Sequence, residues 1–147
     1  MEIAERISDE ITSEARLASF EAKCGGKLPQ EYRAFLLAAN GGRPVKRRFS
    51  FLDNGKRTES VVDWFFGDCD DPDYGLVSNL EVYEGRIPNG WLPVATDPFG
   101  NLILLSLKGN VSGIVSFWDH EREDPDDFNK NVLHLADNFN AFLAGLT

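Results

Sequence analysis

Cysteine is scarce: Cys24 and Cys69 are the only two in 147 residues. They form no metal knuckle or redox motif, and two are too few for a secreted disulfide framework. Histidine is as scarce, with only His120 and His134. No helical H-x-x-x-H or H-x-x-E-H spacing links them, which argues against a zinc or iron site. No apolar run approaches the roughly 18 residues of a membrane span. The opening "MEIAERISDE" carries acid early and has no apolar h-region, so it does not read as a signal peptide. A G-x-S-x-G nucleophile elbow and a lysine-bearing phosphate loop are also missing. These absences lead to the expectation of a cytoplasmic protein with no metal, no cofactor and no membrane partner.

Large apolar side chains, by contrast, are plentiful. Hydrophobic residues make up 42% of the chain, with eleven Phe and three Trp. That composition excludes disorder, and the length fits one domain spanning residues 1–147 with a core that needs no staple.

Charge is abundant and uneven. The formal net charge is −9. Residues 1–62 carry 11 Lys/Arg against 9 Asp/Glu, whereas residues 63–147 carry 4 against 15. An acidic half repels a phosphate backbone, so direct nucleic-acid binding is not expected. The basic segment "RPVKRRFSFLDNGKR" interleaves aromatics with charge in a way that can suit RNA. As a strand, however, it buries Phe49 and Phe51 on one side and solvates Lys46 and Arg48 on the other. The acidic field attracts a basic protein and speeds its encounter.

The hydrophobic period divides the chain. Residues 13–24 read as a helix with Leu17, Phe20 and Cys24 on one stripe, ended by Gly25-Gly26. "LPQEYRAFLLAANGG" (28–42) is the clearest helix. Pro29 suits its first position, Tyr32, Phe35, Leu36 and Ala39 share a face, and Asn40-Gly41-Gly42 stops it. "KRRFSFL" (46–52) and "ESVVDWFF" (59–66) read as strands joined by a tight turn at Asn54-Gly55. "GDCDDPDYG" (67–75) is a loop, and Leu76, Leu80 and Tyr83 give a short helix. "WLPVATDPFGNLILLSL" (91–107) is a hairpin turning at Asp97-Pro98-Phe99-Gly100-Asn101. "VSGIVSFWD" (111–119) is the last clear strand, and "EREDPDDFNKN" (121–131) is an acidic loop. Leu135, Phe139, Phe142, Leu143 and Leu146 predict a closing helix over 135–146. The fold class is α+β: a mostly antiparallel sheet with two N-terminal helices and a C-terminal helix packed around it. Phe35, Leu36, Trp118, Phe139 and Phe142 are predicted core.

The stretch "SFWDHERED" (116–124) sets Asp119, His120 and Glu121 side by side. Neighbours on a strand point to opposite faces, so the three cannot meet on one ion without a bend. Asp119 and His120 are expected to hydrogen-bond the strand end to the following loop. The acidic clusters of 68–73 and 121–127 lack the Gly and Glu positions of an EF-hand. Cys24 lies on an apolar helix face, and the carboxylates around Cys69 suppress its thiolate. No catalytic set assembles, which favours binding over chemistry.

Four segments together resemble the SUKH superfamily: "LPQEYRAFLLAANGG", the 91–107 hairpin with its Asp-x-x-Gly-Asn turn, "GIVSFWDHE" and the terminal "ADNFNAFLAGL". The resemblance covers about residues 13–146, with 43–90 the least similar part. It implies an α+β fold without enzymatic activity. Its bacterial members are largely cytoplasmic immunity proteins that bind and block a cognate toxin domain, often a nuclease or other nucleic-acid-modifying enzyme. Its fungal members are scaffolds that regulate cell-wall assembly. For a toxin with a basic surface, the candidate partner-binding residues are Asp68, Asp70, Asp71 and Asp73 in one loop. The other loop offers Glu121, Glu123, Asp124, Asp126 and Asp127.

Overall fold

The computed structural model describes residues Met1–Thr147. A short strand β1 (Ile3–Glu5) leads into helices α1 (Glu14–Cys24) and α2 (Gln30–Ala39). Ser13 caps α1 by accepting from the Arg16 N–H, and Gly25 ends it with φ 78. Pro29 stands one residue earlier than the sequence suggests, as the cap of α2 and not its first turn. Its fixed φ still directs the chain into the helix.

Strand β2 (Arg43–Pro44) follows, then β3 (Arg48–Asp53), β4 (Lys56–Val61) and β5 (Trp64–Phe65). Helix α3 (Leu76–Val82), β6 (Trp91–Thr96), β7 (Leu102–Ser106), β8 (Val115–Trp118), β9 (Val132–Ala136) and α4 (Phe139–Ala144) complete the chain. Five strands form one sheet in the order β5-β6-β7-β8-β9, and every pairing in it is antiparallel. β3–β4 and β1–β2 are separate two-stranded ribbons. This is the expected α+β fold, with the antiparallel pairing divided among three sheets.

Three predicted elements are redrawn. The run 59–66 is two strands. At Val62 the N–H still donates to Arg47 of the ribbon, and one residue later Asp63 donates to Thr96 of the large sheet. A continuous apolar run conceals that change of partner. The strand read over 111–119 shortens to Val115–Trp118, preceded by a 3-10 turn at Gly109–Val111. The helix read over 135–146 starts at Phe139, where Asn138 accepts from the Ala141 N–H. Leu135 belongs instead to β9, where His134 is exposed between the half-buried Leu133 and Leu135. Leu135 and Phe139 fit a helical i, i+4 spacing, and that match hides the strand alternation.

β7 is buried along its whole length, as a central strand covered on both faces should be. The core is largely aromatic. Tyr32 of α2 meets Phe139 of α4 edge to face with centroids 5.0 Å apart, and Phe35 meets Phe65 and Phe139 at 5.0 and 5.2 Å. On the ribbon side, Phe51 stacks on Phe117 at 4.6 Å and Phe49 contacts Phe142 at 5.8 Å. Phe35, Leu36, Trp118, Phe139 and Phe142 are all buried, as their spacing predicts.

Two consequences are measurable by urea unfolding. Phe35→Ala should cost about 3–5 kcal/mol, because the surrounding rings cannot collapse onto the lost volume. Tyr32 is fully buried and its Oη has no hydrogen-bond partner within the chain. Tyr32→Phe should therefore leave stability unchanged or raise it, since it removes an unpaired polar atom. A loss of stability in Tyr32→Phe would mean that the hydroxyl is satisfied.

Candidate functional site

The loop between β5 and α3 holds the first acidic group, and its root is fixed. Asn40, at the end of α2, adopts φ 50 and is 8% exposed. Its Oδ1 accepts from the Asp68 N–H at 2.8 Å. Its Nδ2 donates to the Asp68 and Glu10 carbonyls at 3.1 and 3.3 Å. Gly67 is obligatory beside it, because a Cβ there would lie 2.2 Å from the Asn40 carbonyl oxygen. The Asp68 carboxylate accepts from Arg16 at 2.7 Å and from Thr12 at 2.6 Å. Asp68 is thus a structural residue that ties α1 and the N-terminal arm to the loop.

Asp71 is also engaged internally, taking the Asp73 and Tyr74 N–H groups at 2.8 and 3.0 Å. Asp70 and Asp73 are exposed, with no cation on their carboxylates.

The second group follows β8. Arg86 lies 5.0 Å from the Tyr83 ring centroid and 5.5 Å from that of Trp118, and its guanidinium pairs with Glu123. Asp124 accepts from Lys130 at 3.4 Å and from the Asp126 N–H at 2.9 Å. Asp127 accepts from the Asn129 N–H at 3.1 Å. Glu121, Asp126 and Asp127 are exposed and make no ion pair within the chain.

The nine predicted carboxylates therefore separate into two kinds. Asp68, Glu123 and Asp124 are neutralised by Arg or Lys and the half-buried Asp71 is turned onto backbone N–H groups, while Asp70, Asp73, Glu121, Asp126 and Asp127 are exposed with no cation, Asp127 also accepting one backbone N–H. No hydrogen bond or ion pair joins one loop to the other. They are two patches on one molecule.

His120 has a different role from the expected one. Asp119 does hold the strand end to the next loop, through its N–H to the Asn131 carbonyl at 3.0 Å and its own carbonyl from Asn131 Nδ2 at 2.8 Å. His120 reaches back to the β6–β7 turn, where its N–H and Nδ1 meet Asn101 Oδ1 at 3.1 and 2.7 Å. The amide is oriented by Asp97, 3% exposed, which accepts from Asn101 Nδ2 at 2.9 Å. A carboxylate accepts only, so Asn101 turns its oxygen to the imidazole and His120 carries its proton on Nδ1. Asp97 also takes Ser60 Oγ at 3.0 Å and the Phe99 and Asn101 N–H groups at 2.9 and 2.8 Å.

The Asp-x-x-Gly-Asn turn and the Trp-Asp-His-Glu strand end are thus one hydrogen-bonded unit. A cleft of about 350 Å³ lies between them and β4. Spacing within either motif alone could not show this link, since 19 residues separate Asn101 from His120.

No group of three or more His, Cys, Asp and Glu side chains is placed to share a metal ion. His134 pairs with Asp137 at 2.9 Å, on a different strand from His120. Burial pushes both thiols up, with neighbouring carboxylates adding to the effect at Cys69. A larger groove of about 420 Å³ between α1 and α3 is lined by none of the nine carboxylates. No helix is long and apolar enough to cross a membrane.

The Asp68 carboxyl gives a test of how the first loop is anchored. Burial would push it up, but the hydrogen bonds from Arg16 and Thr12 and the Arg16 charge hold it below the usual carboxylate range. A carboxyl depressed on folding stabilises the protein above its unfolded value, about 3.9, and loses that contribution as pH falls through the folded value. Asp68→Asn should therefore flatten the acid limb of stability against pH below about pH 4. Parallel acid limbs for variant and wild type, in denaturant titrations across that range, would contradict the anchor.

Comparison with curated proteins finds no significant match. The model of the SMI1 / KNR4 family (SUKH-1) matches residues 11–145, nearly the entire chain. Its extent takes in the α2 end, the β6–β7 turn, the Trp118 to Glu121 strand end and α4. The chain belongs to the SMI1 / KNR4 family (SUKH-1).

Proposed function

We propose that this protein is a cytoplasmic immunity protein that binds and inhibits a toxin domain with a basic surface, one that acts on nucleic acid. Family membership supports protein binding without catalysis, and it spans both immunity proteins and fungal regulators. The observation that favours immunity is the set of uncompensated carboxylates at Asp70, Asp73, Glu121, Asp126 and Asp127. They stand on loops whose roots are pinned by Asn40, Arg16 and Arg86, so the charges are presented from a rigid base. An enzyme that acts on nucleic acid needs a basic cleft for phosphate. Carboxylates held on two rigid loops can occupy such a cleft and exclude its substrate. Preorganisation lowers the entropy lost on binding.

The experiment is to co-purify the tagged chain with the product of the adjacent gene, then measure association rates. Lys substitution of the five uncompensated carboxylates should slow association at low salt by tenfold or more and flatten its salt dependence. The same substitution at the internally paired Asp124 should change the rate little. Unchanged association and unchanged protection of cells with all five reversed would sink the acidic-loop reading. A neighbour that neither binds nor harms cells would favour the scaffold role instead.

A further inference from the structure

The β3–β4 ribbon has one side with no partner. β4 pairs with β3 alone. Asn54 and Gly55 have φ 50 and 80, the type I′ geometry that makes Asp53 and Lys56 the first hydrogen-bonded pair. Pairs alternate from there. Thr58 and Ser60 direct their backbone groups to β3, and Arg57, Glu59 and Val61 direct theirs outward. The Val62 N–H, donating to the Arg47 carbonyl at 2.8 Å, keeps the same parity. No hydrogen bond within the chain reaches the outward groups of Arg57, Glu59 or Val61.

We propose that this edge pairs with the same edge of a second copy of the chain, antiparallel about a two-fold axis at Thr58. In that register Arg57 of each copy stands opposite Glu59 of the other. Both residues point their backbone groups outward, so they exchange two N–H to carbonyl bonds on each side of the axis. Thr58 meets Thr58 as the closer, non-hydrogen-bonded pair, where a small side chain fits. Axes through Arg57 or Glu59 would set like charges face to face, which is repulsive. Arg57 and Glu59 are exposed and make no ion pair within the chain.

The cleft fits the same arrangement. Thr58 and Ser60 lie opposite the buried Phe51 and Phe49, on the inner face of the ribbon. They line the 350 Å³ cleft together with Asp97, Asp119, Glu121 and Arg122; Arg122 pairs with Asp53 and Asp119, which leaves Glu121 as an exposed carboxylate there without a cation. Lys56 shares that face and is exposed without an ion-pair partner. Pairing at Thr58 sets Lys56 of one copy opposite Ser60 of the other, so the ammonium lies at the mouth of the partner's cleft, on the side of the uncompensated Glu121. Each copy gives one lysine and receives one, as a two-fold contact requires. The edge is short, and one strand pairing buries less than the roughly 1,200–2,000 Å² of a standard interface. The dimer is therefore weak and dependent on concentration. None of this rests on the toxin-binding reading.

Sedimentation of the full chain over a wide concentration range tests the contact. Wild type should show a reversible monomer–dimer equilibrium that weakens with salt. Arg57→Glu or Glu59→Arg should each raise the dimer Kd about tenfold by placing like charges opposite one another. The double exchange R57E/E59R should restore association, because it rebuilds the pairs with their signs reversed. Lys56→Glu should weaken the dimer without touching the Arg57–Glu59 pairs. All four variants alter exposed side chains, and circular dichroism checks that they stay folded. The proposal is overturned if wild type remains monomeric at its highest soluble concentration. It is equally overturned if the single reversals leave Kd unchanged, or if the double exchange fails to recover association.

Discussion

The hydrogen bonds of Asn40 hold together parts of the fold that packing alone would leave separate. One side chain joins the end of α2 to the Asp68 peptide and to the Glu10 carbonyl in the N-terminal arm. Because Asn40 is buried, each bond replaces one that water cannot supply. The left-handed φ there reverses the chain into Gly41 and Gly42, which pass against β5 closely enough for Gly42 to pair with Phe65. A Cβ on Gly41 would approach the Phe65 and Phe66 carbonyl oxygens to 2.7 Å. This junction sets where β5 enters the sheet, where the first acidic loop begins and where the N-terminal arm lies.

Around that junction the protein follows a simple division. Aromatic side chains from α2, α4, β3, β5 and β8 fill the interior. Charged side chains are kept at the loop roots, where Arg16, Arg86 and Arg122 each hold a carboxylate. These pairs are partly exposed, and exposed pairs add little stability individually. Their value lies in geometry, since they fix the loop roots while other carboxylates remain unpaired. Carboxylates that a sequence count cannot tell apart are thus divided between anchors and exposed surface.

Much of the fold was legible because period and punctuation agreed. In α2 the apolar spacing, Pro29 and the Asn40-Gly41-Gly42 stop all gave the same answer. The Asn54-Gly55 turn was equally plain, because few other dipeptides accept two positive φ angles in succession. β9 was not legible, since its Leu135 also satisfied a helical spacing with Phe139 and only Asn138 marked the boundary. The split of β4 from β5 was hidden because an apolar run does not record which neighbour each residue pairs with. At the candidate site, the sequence identified the acidic loops but not which carboxylates were already bound. Those partners, Arg16 with Asp68 and Arg86 with Glu123, lie 52 and 37 residues away along the chain.

The sequence by itself determined the class of protein: an aromatic-cored α+β fold, acidic in its C-terminal portion. These properties depend on composition and on spacing within one element, which a linear chain records directly. The tertiary structure alone decided which charges are spent internally, that His120 is held by the Asp97–Asn101 turn, and that one edge of β4 is left open. Each depends on elements far apart in the chain meeting in space, and local period carries no information about which of them will meet.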